Sequence, residues 1–235
     1  LLDWTACGIA GAEEPVSRSV RALVLDEGGR GEASGIGCPE KLPARAAALL
    51  NGAVSHALDY DDTHFDYVGH PSVAIFPAAL AMAERTGASG AALLEAAAIG
   101  FEVACRVGAW LGARHYNHGF HQTSTSGCFG ATAATGRLLG LSPAEMRQAL
   151  GIAATRASGL KSQFGTFGKP YHAGMAAANG IEAAVLAANG FLSRPDGIEC
   201  EQGFAATHAG AGGDPAVALA ELGRTWRLDL VQYKF

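Results

Sequence analysis

The sequence predicts an all-α domain that fills nearly the whole chain, and two observations carry this expectation. Helix start and stop signals recur through about residue 220, whereas period-two alternation is scarce until Trp226, Leu228 and Leu230. The composition agrees: hydrophobic residues make up 49% of the 235, charged residues only 17%, and 32 are glycine. With the abundant alanine, this describes helices packed closely through small residues at their crossings.

The elements follow in order. The chain opens on Leu1-Leu2-Asp3, already in a helical pattern and without an initiator Met, so its true start is expected to be missing. Pro15 suits the first turn of a helix to Glu27, closed by Gly28-Gly29. Leu42 to Leu58 is Ala-rich and helical, and Ser72 to Arg85 is apolar and helical, with Pro77 expected to bend or restart it. Ser89 to Leu111 is the longest pattern, with Gly100 and Gly108 as close-packing points. Ser142-Pro143-Ala144-Glu145 reads as a capping box with proline at the first helical position, opening a helix to Ala157. Pro170 to Asn189 is another helix stopped by Gly190, and Asp214-Pro215 starts one more. The alternation at Trp226, Leu228 and Leu230 reads as a strand without a partner in the sequence. The expected organisation is therefore a helical domain over 1–223, incomplete at its start, and the beginning of a truncated second domain over 224–235.

Composition also narrows the function. A net charge of −5 with no Lys/Arg-rich run gives nucleic-acid binding no support. The apolar stretches Ala91–Trp110 and Ala173–Leu192 carry Glu95, Glu102 and Arg106, and Asn179, Glu182 and Asn189, which are costly in lipid and fit buried core helices better. Mean hydropathy of +0.15 describes a well-buried globular protein. Five cysteines without a C-x-x-C pair point to reduced thiols and a cytoplasmic setting.

Seven of the eight histidines fall in three segments. The first, NGAVSHALDYDDTHFDYVGHP from Asn51 to Pro71, holds Asp59, Asp61, Asp62 and Asp66 with His56, His64 and His70. The second runs from His115 to His121 and on into the hydroxyl-rich Gln122–Gly127; the third is Gly165–His172. All three read as interhelical loops, and polar groups gathered on loops over an apolar scaffold are a common way to build a site. Lys169 before Pro170 places an ammonium beside a helix N-terminus with unpaired N–H groups, suited to a carboxylate or phosphate, or is simply an exposed lysine. It is not a Walker loop, lacking the spacing and the following Ser/Thr.

His115, His118 and His121 are spaced by three, but Gly119 argues against a continuous helix and no H-E-x-x-H accompanies them, so no metal is expected. The bland alternative for His115 and His118 is bonding to backbone carbonyls. Asp59-Tyr60-Asp61-Asp62 matches the D-x-D-D of some all-α terpene cyclases, yet 8% aromatics do not suggest a carbocation pocket. For at least two of the four aspartates the expected roles are capping the next helix or pairing with His64 or His70.

Taken together, NGAVSHALDYDDTH with His70-Pro71, GFHQTSTSG, and GTFGKPYHAG resemble the MmgE/PrpD family in identity, order and separation, over nearly the whole chain. The resemblance implies the family's large helical domain, with a smaller α+β lid starting near Trp226 and largely absent. It implies a cofactor-independent, homodimeric lyase or isomerase of small di- or tricarboxylates, a dehydratase or decarboxylase and foremost 2-methylcitrate dehydratase-like, and a fragment inactive without the lid. By position, Asp59, His70, His121 and Lys169 fall on catalytic residues of the family cleft, and Thr63 and His172 on substrate-binding ones. Ser124 and Gly168 depart from the family's usual Gly and hydroxyl residue there. Lys169 and His121 are then expected to hold substrate carboxylates while Asp59 and His70 move protons. The competing classes are a non-catalytic helical protein that binds an anion or assembles with a partner, and a metal-dependent lyase or hydrolase.

Overall fold

The computed structural model describes residues 1–209 and 214–234. Its helices are α1 (Leu2–Gly11), α2 (Pro15–Glu27), α3 (Ala44–Ser55), α4 (Ser72–Thr86), α5 (Gly90–His118), α6 (Gln122–Leu139), α7 (Pro143–Arg156), α8 (Gly168–Ala188), α9 (Phe204–Ala209) and α10 (Ala216–Leu219). Strands β1 (Ala33–Gly35) and β2 (Cys38–Leu42) form one antiparallel hairpin. The chain is thus all-α, as the sequence predicts. The predicted domain spans 1–223 and 224–235 include residues 210–213 and 235, which lie outside the described residues.

The punctuation residues act where the sequence places them. Pro15 opens α2, and Gly28 closes it at φ 62°. Ser142 Oγ accepts from the Glu145 N–H at 3.3 Å while Glu145 Oε2 accepts from the Ser142 N–H at 2.7 Å, completing the capping box of α7. Pro77 sits inside α4, which runs through it without restarting. In α5 the helical φ/ψ break at Gly112 (φ 63°, ψ −174°), one residue past the predicted end, and then resume to His118.

The central pair is α6 against α8; α4 packs on both, α3 covers α8, α5 covers α6, and α7 crosses both. Small residues permit these crossings. A Cβ on Gly100 would lie 2.8 Å from the Gly130 carbonyl oxygen, and one on Gly108 2.8 Å from the Tyr67 ring. Among α5's polar groups, Arg106 Nε donates to Glu102 Oε1 at 2.6 Å, and its guanidinium also donates to the carbonyls of Ala218, Ala220 and Thr225. Four of the five guanidinium N–H groups of this buried pair are thus engaged, which offsets its desolvation. Among the described residues no helix is long and apolar enough to cross a membrane. The five cysteines are free.

Three sequence expectations are corrected. The stretch 122–127 is no loop: it opens α6, every residue of which from Gln122 to Gly136 is buried. Thr, Ser and Gly are poor helix formers, and tertiary packing overrides that here. Two of the hydroxyls turn back onto their own helix, Thr132 Oγ1 donating to the Cys128 carbonyl at 2.7 Å and Thr125 Oγ1 to the His121 carbonyl at 3.4 Å, while Ser124 Oγ donates across to the His172 carbonyl at 3.0 Å. Second, His115 and His118 are helical, within the last turn of α5. Third, Trp226–Leu230 is not a strand. Arg227–Leu230 form a 3₁₀ turn, because the Arg227 N–H is held by Glu102 Oε2 at 2.7 Å, drawing the segment across α5. Only Gln232 beyond it makes a bridge, to Thr63.

Candidate active site

The three His-bearing segments converge on one cavity of about 590 Å³. The connection between α3 and α4 supplies Asp59, Thr63 and His70; the turn between α5 and α6 supplies His121; the start of α8 supplies Lys169. Tyr116, Thr123 and Phe164 complete the walls, with Lys234 from the far end of the described chain. Of the six residues singled out from the sequence, five line this space. His172 does not; it stands behind His121, with the two Nδ1 atoms 3.2 Å apart.

Asp59 is the hub. Its Oδ1 pairs with the Lys169 ammonium, lies 3.1 Å from Lys234 Nζ and 3.5 Å from His70 Nε2. Its backbone adopts φ 59°, a left-handed conformation that aspartate tolerates and that strained functional sites often hold; Val68, another wall residue, is at φ 54°. Burial would raise the Asp59 carboxyl, but Lys169 outweighs it and holds the group ionised.

Behind Asp59 lies Asp61, fully buried between His56 and His70. Its Oδ1 is 2.8 Å from His56 Nδ1 and its Oδ2 3.0 Å from His70 Nδ1. Burial opposes its charge, yet the two imidazoles hold it well below the usual carboxylate range. Burial likewise opposes a proton on His70, but Asp61 prevails and raises it. The other histidines go the opposite way. Burial lowers His121 far below its ordinary value, and lowers His56 and His172. The surroundings of His70 thus favour a proton on its ring, whereas those of His121 favour the neutral imidazole.

The remaining aspartates are structural. Asp66 pairs with Arg227 at 2.8 Å. Asp62 receives the Ser72 N–H at 3.2 Å and the Ser72 hydroxyl at 2.8 Å, capping α4 from outside. No aspartate is needed by His64, which accepts the Tyr67 N–H at 3.2 Å and donates to the Arg227 carbonyl at 2.9 Å. Burial pushes Asp62 up to about 7 despite Ser72. The folded state thus prefers the neutral acid, and this contribution to stability is complete below the ordinary 3.8 and lost as pH rises through about 7. With one pKa unit worth about 1.4 kcal/mol, the loss is on the order of 4 kcal/mol. Asp62→Asn can still accept the Ser72 N–H and can donate from Nδ2 to the Ser72 hydroxyl, without the charge, so its stability relative to wild type is expected to climb between pH 5 and pH 9. Urea unfolding at those pH values checks this, and parallel stability curves would refute it.

One site expectation changes. Pro170 is the third residue of α8, and the leading amides are occupied: Gly168 N–H donates to Thr166 Oγ1 at 3.0 Å and Lys169 N–H to the Thr166 carbonyl at 3.3 Å. The anion-binding capacity rests on the ammonium rather than on a backbone cradle. The His115/His118/His121 set does not converge. His115 is saturated by Thr125 Oγ1 at 2.8 Å and the His208 carbonyl at 2.9 Å, and burial lowers it to about 4. A different group, His56, Asp59, Asp61 and His70, offers ligand atoms within 4.8 Å of one another. It suits a cation poorly, since Asp59 already faces two ammonium groups and Asp61 two imidazoles.

Sequence reasoning missed Lys234, Thr123, Phe164 and Tyr116 as wall residues. A lone lysine more than sixty residues beyond Lys169 carries no spacing signal; Thr123 was within reach, lying two residues after His121 in the GFHQTSTSG string.

With this geometry in place, comparison with known proteins is informative. The family model of the MmgE/PrpD N-terminal domain matches residues 1–214. Among similar curated proteins, the cis-aconitate decarboxylase-like protein oryM of Aspergillus oryzae is 36% identical over 201 residues, 82% of this chain and 42% of its own length. Cis-aconitate decarboxylase of Aspergillus terreus is 35% identical over 210 residues, 86% of this chain and 43% of its own. Its Homo sapiens namesake is 37% identical over 194 residues, covering 80% and 40%. The chain spans about two fifths of the length of these relatives. On the family match, which covers nine tenths of its residues, the chain belongs to the MmgE/PrpD family.

Proposed function

We propose that the cavity is the active site of a lyase that decarboxylates cis-aconitate or a close tricarboxylate analogue without a cofactor. The observation that carries this is the convergence of Lys169 and Lys234 on Asp59 beside His70. Two ammonium groups, an imidazole that favours the neutral form and one that favours a proton match a polyanion that must gain a proton at carbon. The expectation of a 2-methylcitrate dehydratase yields to decarboxylation because the similar proteins named above are decarboxylases.

The chemistry sets what each residue must do. The bond from the methylene carbon to its carboxylate breaks and carbon dioxide leaves. The electron pair spreads over the allylic system to the former vinylic carbon, which takes one proton; a five-carbon unsaturated diacid results. Lys169 and His121 hold the remaining carboxylates and stabilise the enolate-like charge, worth most where water is excluded. His70 supplies the proton from Nε2, which faces Asp59 and the cavity. Asp59, kept ionised by the lysines, serves to hold them and His70 in place rather than to abstract a proton.

As part of the same proposal, residues 1–223 are the helical domain and those from 224 the approach to a smaller lid. The protein is taken to work as a cytoplasmic homodimer; exposed Leu2 and Ile9, on one face of α1, support the pairing. The test is to incubate the full-length gene product with cis-aconitate in deuterated buffer. Carbon dioxide release with one deuteron at the carbon next to the product carboxylate is expected. Turnover of 2-methylcitrate with no carbon dioxide from cis-aconitate would overturn the reading.

A further inference from the structure

Asp61 touches neither cavity nor solvent, yet its Oδ1 is hydrogen-bonded to His56 while its Oδ2 stands in ion-pair contact with His70, whose Nδ1 makes its hydrogen bond to the Asp61 backbone carbonyl. His70 Nδ1 faces Asp61 Oδ2 at 3.0 Å and the Asp61 backbone carbonyl at 3.3 Å. Both neighbours only accept hydrogen bonds, so Nδ1 must carry the hydrogen. The same holds for His56, whose Nδ1 faces Asp61 Oδ1 at 2.8 Å. A free neutral imidazole favours the hydrogen on Nε2, so this arrangement enforces the minority tautomer on His70. The consequence lies at the other nitrogen. With Nδ1 occupied, Nε2 is the one position of His70 that gains and loses a proton, and it stands 3.5 Å from Asp59 Oδ1 at the cavity wall. The ring is fixed further by the His70 N–H donating to Thr123 Oγ1 at 3.1 Å.

We propose that Asp61 is a positioning residue that locks His70 with Nδ1 protonated and Nε2 presented to the substrate, with His56 anchoring the carboxylate from its other oxygen. This rests on the reading of His70 as proton donor. The carboxylate–histidine arrangement works through the ring it orients, so removing it alters turnover more than binding. Among the described residues the buried Nε2 of His56 has no hydrogen-bond partner, in keeping with a ring present to hold Asp61 through Nδ1 rather than to meet substrate. Charges that face His70 come from Asp61 and Asp59 on its own connection, from His56 at the end of α3, and from Lys169 on α8.

The first test needs no activity. In protein labelled with ¹⁵N-histidine, long-range proton–nitrogen correlation at alkaline pH is expected to show neutral His70 as the Nδ1–H tautomer. Finding the Nε2–H form would overturn the proposal even in an active enzyme. The second test is Asp61→Asn in the full-length gene product, with folding checked by circular dichroism. An amide can accept from only one ring. A fall in kcat of about 100-fold or more is expected, with KM within about threefold and the alkaline limb of the pH–rate profile, set by loss of the His70 proton, moved down by about a unit. A folded variant with kcat within about threefold of wild type overturns the proposal. His70→Gln separates the two layers: retained turnover there would sink the catalytic reading of His70, whatever the tautomer.

Discussion

Lys169→Ala is expected to lower kcat/KM for the tricarboxylate by about 1,000-fold, with the loss divided between KM and kcat. The ammonium is well placed for this. Its side chain is only 14% exposed, it pairs with Asp59, and it stands 5.5 Å from the face of Phe164. A lysine in the first turn of a helix sits against the positive end of the macrodipole, an unfavourable place for a cation. Position 169 tolerates it because Asp59 lies opposite, and a substrate carboxylate entering the cavity meets that same charge. Truncation removes an anchor from a space where charge–charge contacts are little screened. It also leaves Asp59 facing Lys234 and His70 alone. Lys169→Arg should recover only part of the activity, since a planar fork does not replace a point charge. Steady-state decarboxylation on folded variants reads this directly, and an alanine variant within about threefold of wild type would remove Lys169 from the site.

What was legible in the sequence was whatever depends on local chemistry. Pro15 and Gly28 bound α2, and Ser142 with Glu145 cap α7, because caps need only neighbours three or four residues away. The wall residues Asp59, Thr63, His70, His121 and Lys169 were legible as a pattern of motifs, though nothing local says they meet. What escaped depends on long-range packing. Helix α6 is hydroxyl-rich and poor in propensity, and it is a helix because α4, α5, α7 and α8 surround it. The β1–β2 hairpin escaped because its strands are short; its signal was the two-residue Ile36-Gly37 turn, with Gly37 at φ 72°. The alternation at Trp226 to Leu230 misled because period two says nothing about whether a partner strand exists. Asp61 read as structural from its position, and the reason to revise that lies in its two histidine neighbours, one of them nine residues away along the chain.

A large loss of stability is expected from one methyl group, in Gly174→Ala. Helices α3 and α8 cross at Gly52 and Gly174, so closely that a Cβ on Gly52 would lie 2.6 Å from the Gly174 Cα. A Cβ on Gly174 would run into the Leu49 carbonyl oxygen and lie 3.1 Å from the Ala53 nitrogen. Both obstacles are backbone, so no rotamer change relieves them and the helices must separate. Overpacking of this kind costs about 1–3 kcal/mol or more, against a gain of up to about 1 kcal/mol from replacing a helical glycine. The clash wins at Gly174. At Gly90, where an added Cβ meets nothing within 4 Å, the propensity gain stands alone. Gly90→Ala should therefore leave Tm unchanged or raise it, while Gly174→Ala, with a net cost of about 2 kcal/mol, near the upper end because both obstacles are backbone, should lower it by about 4–8 °C for a chain of this size. Activity should suffer as well. The crossing fixes His56, just past the end of α3, against Lys169 and His172 on α8. Spreading it moves the anchor of Asp61 away from the ammonium that holds Asp59. If Gly174→Ala melted like Gly90→Ala, the tight crossing would not be what sets the spacing of the site.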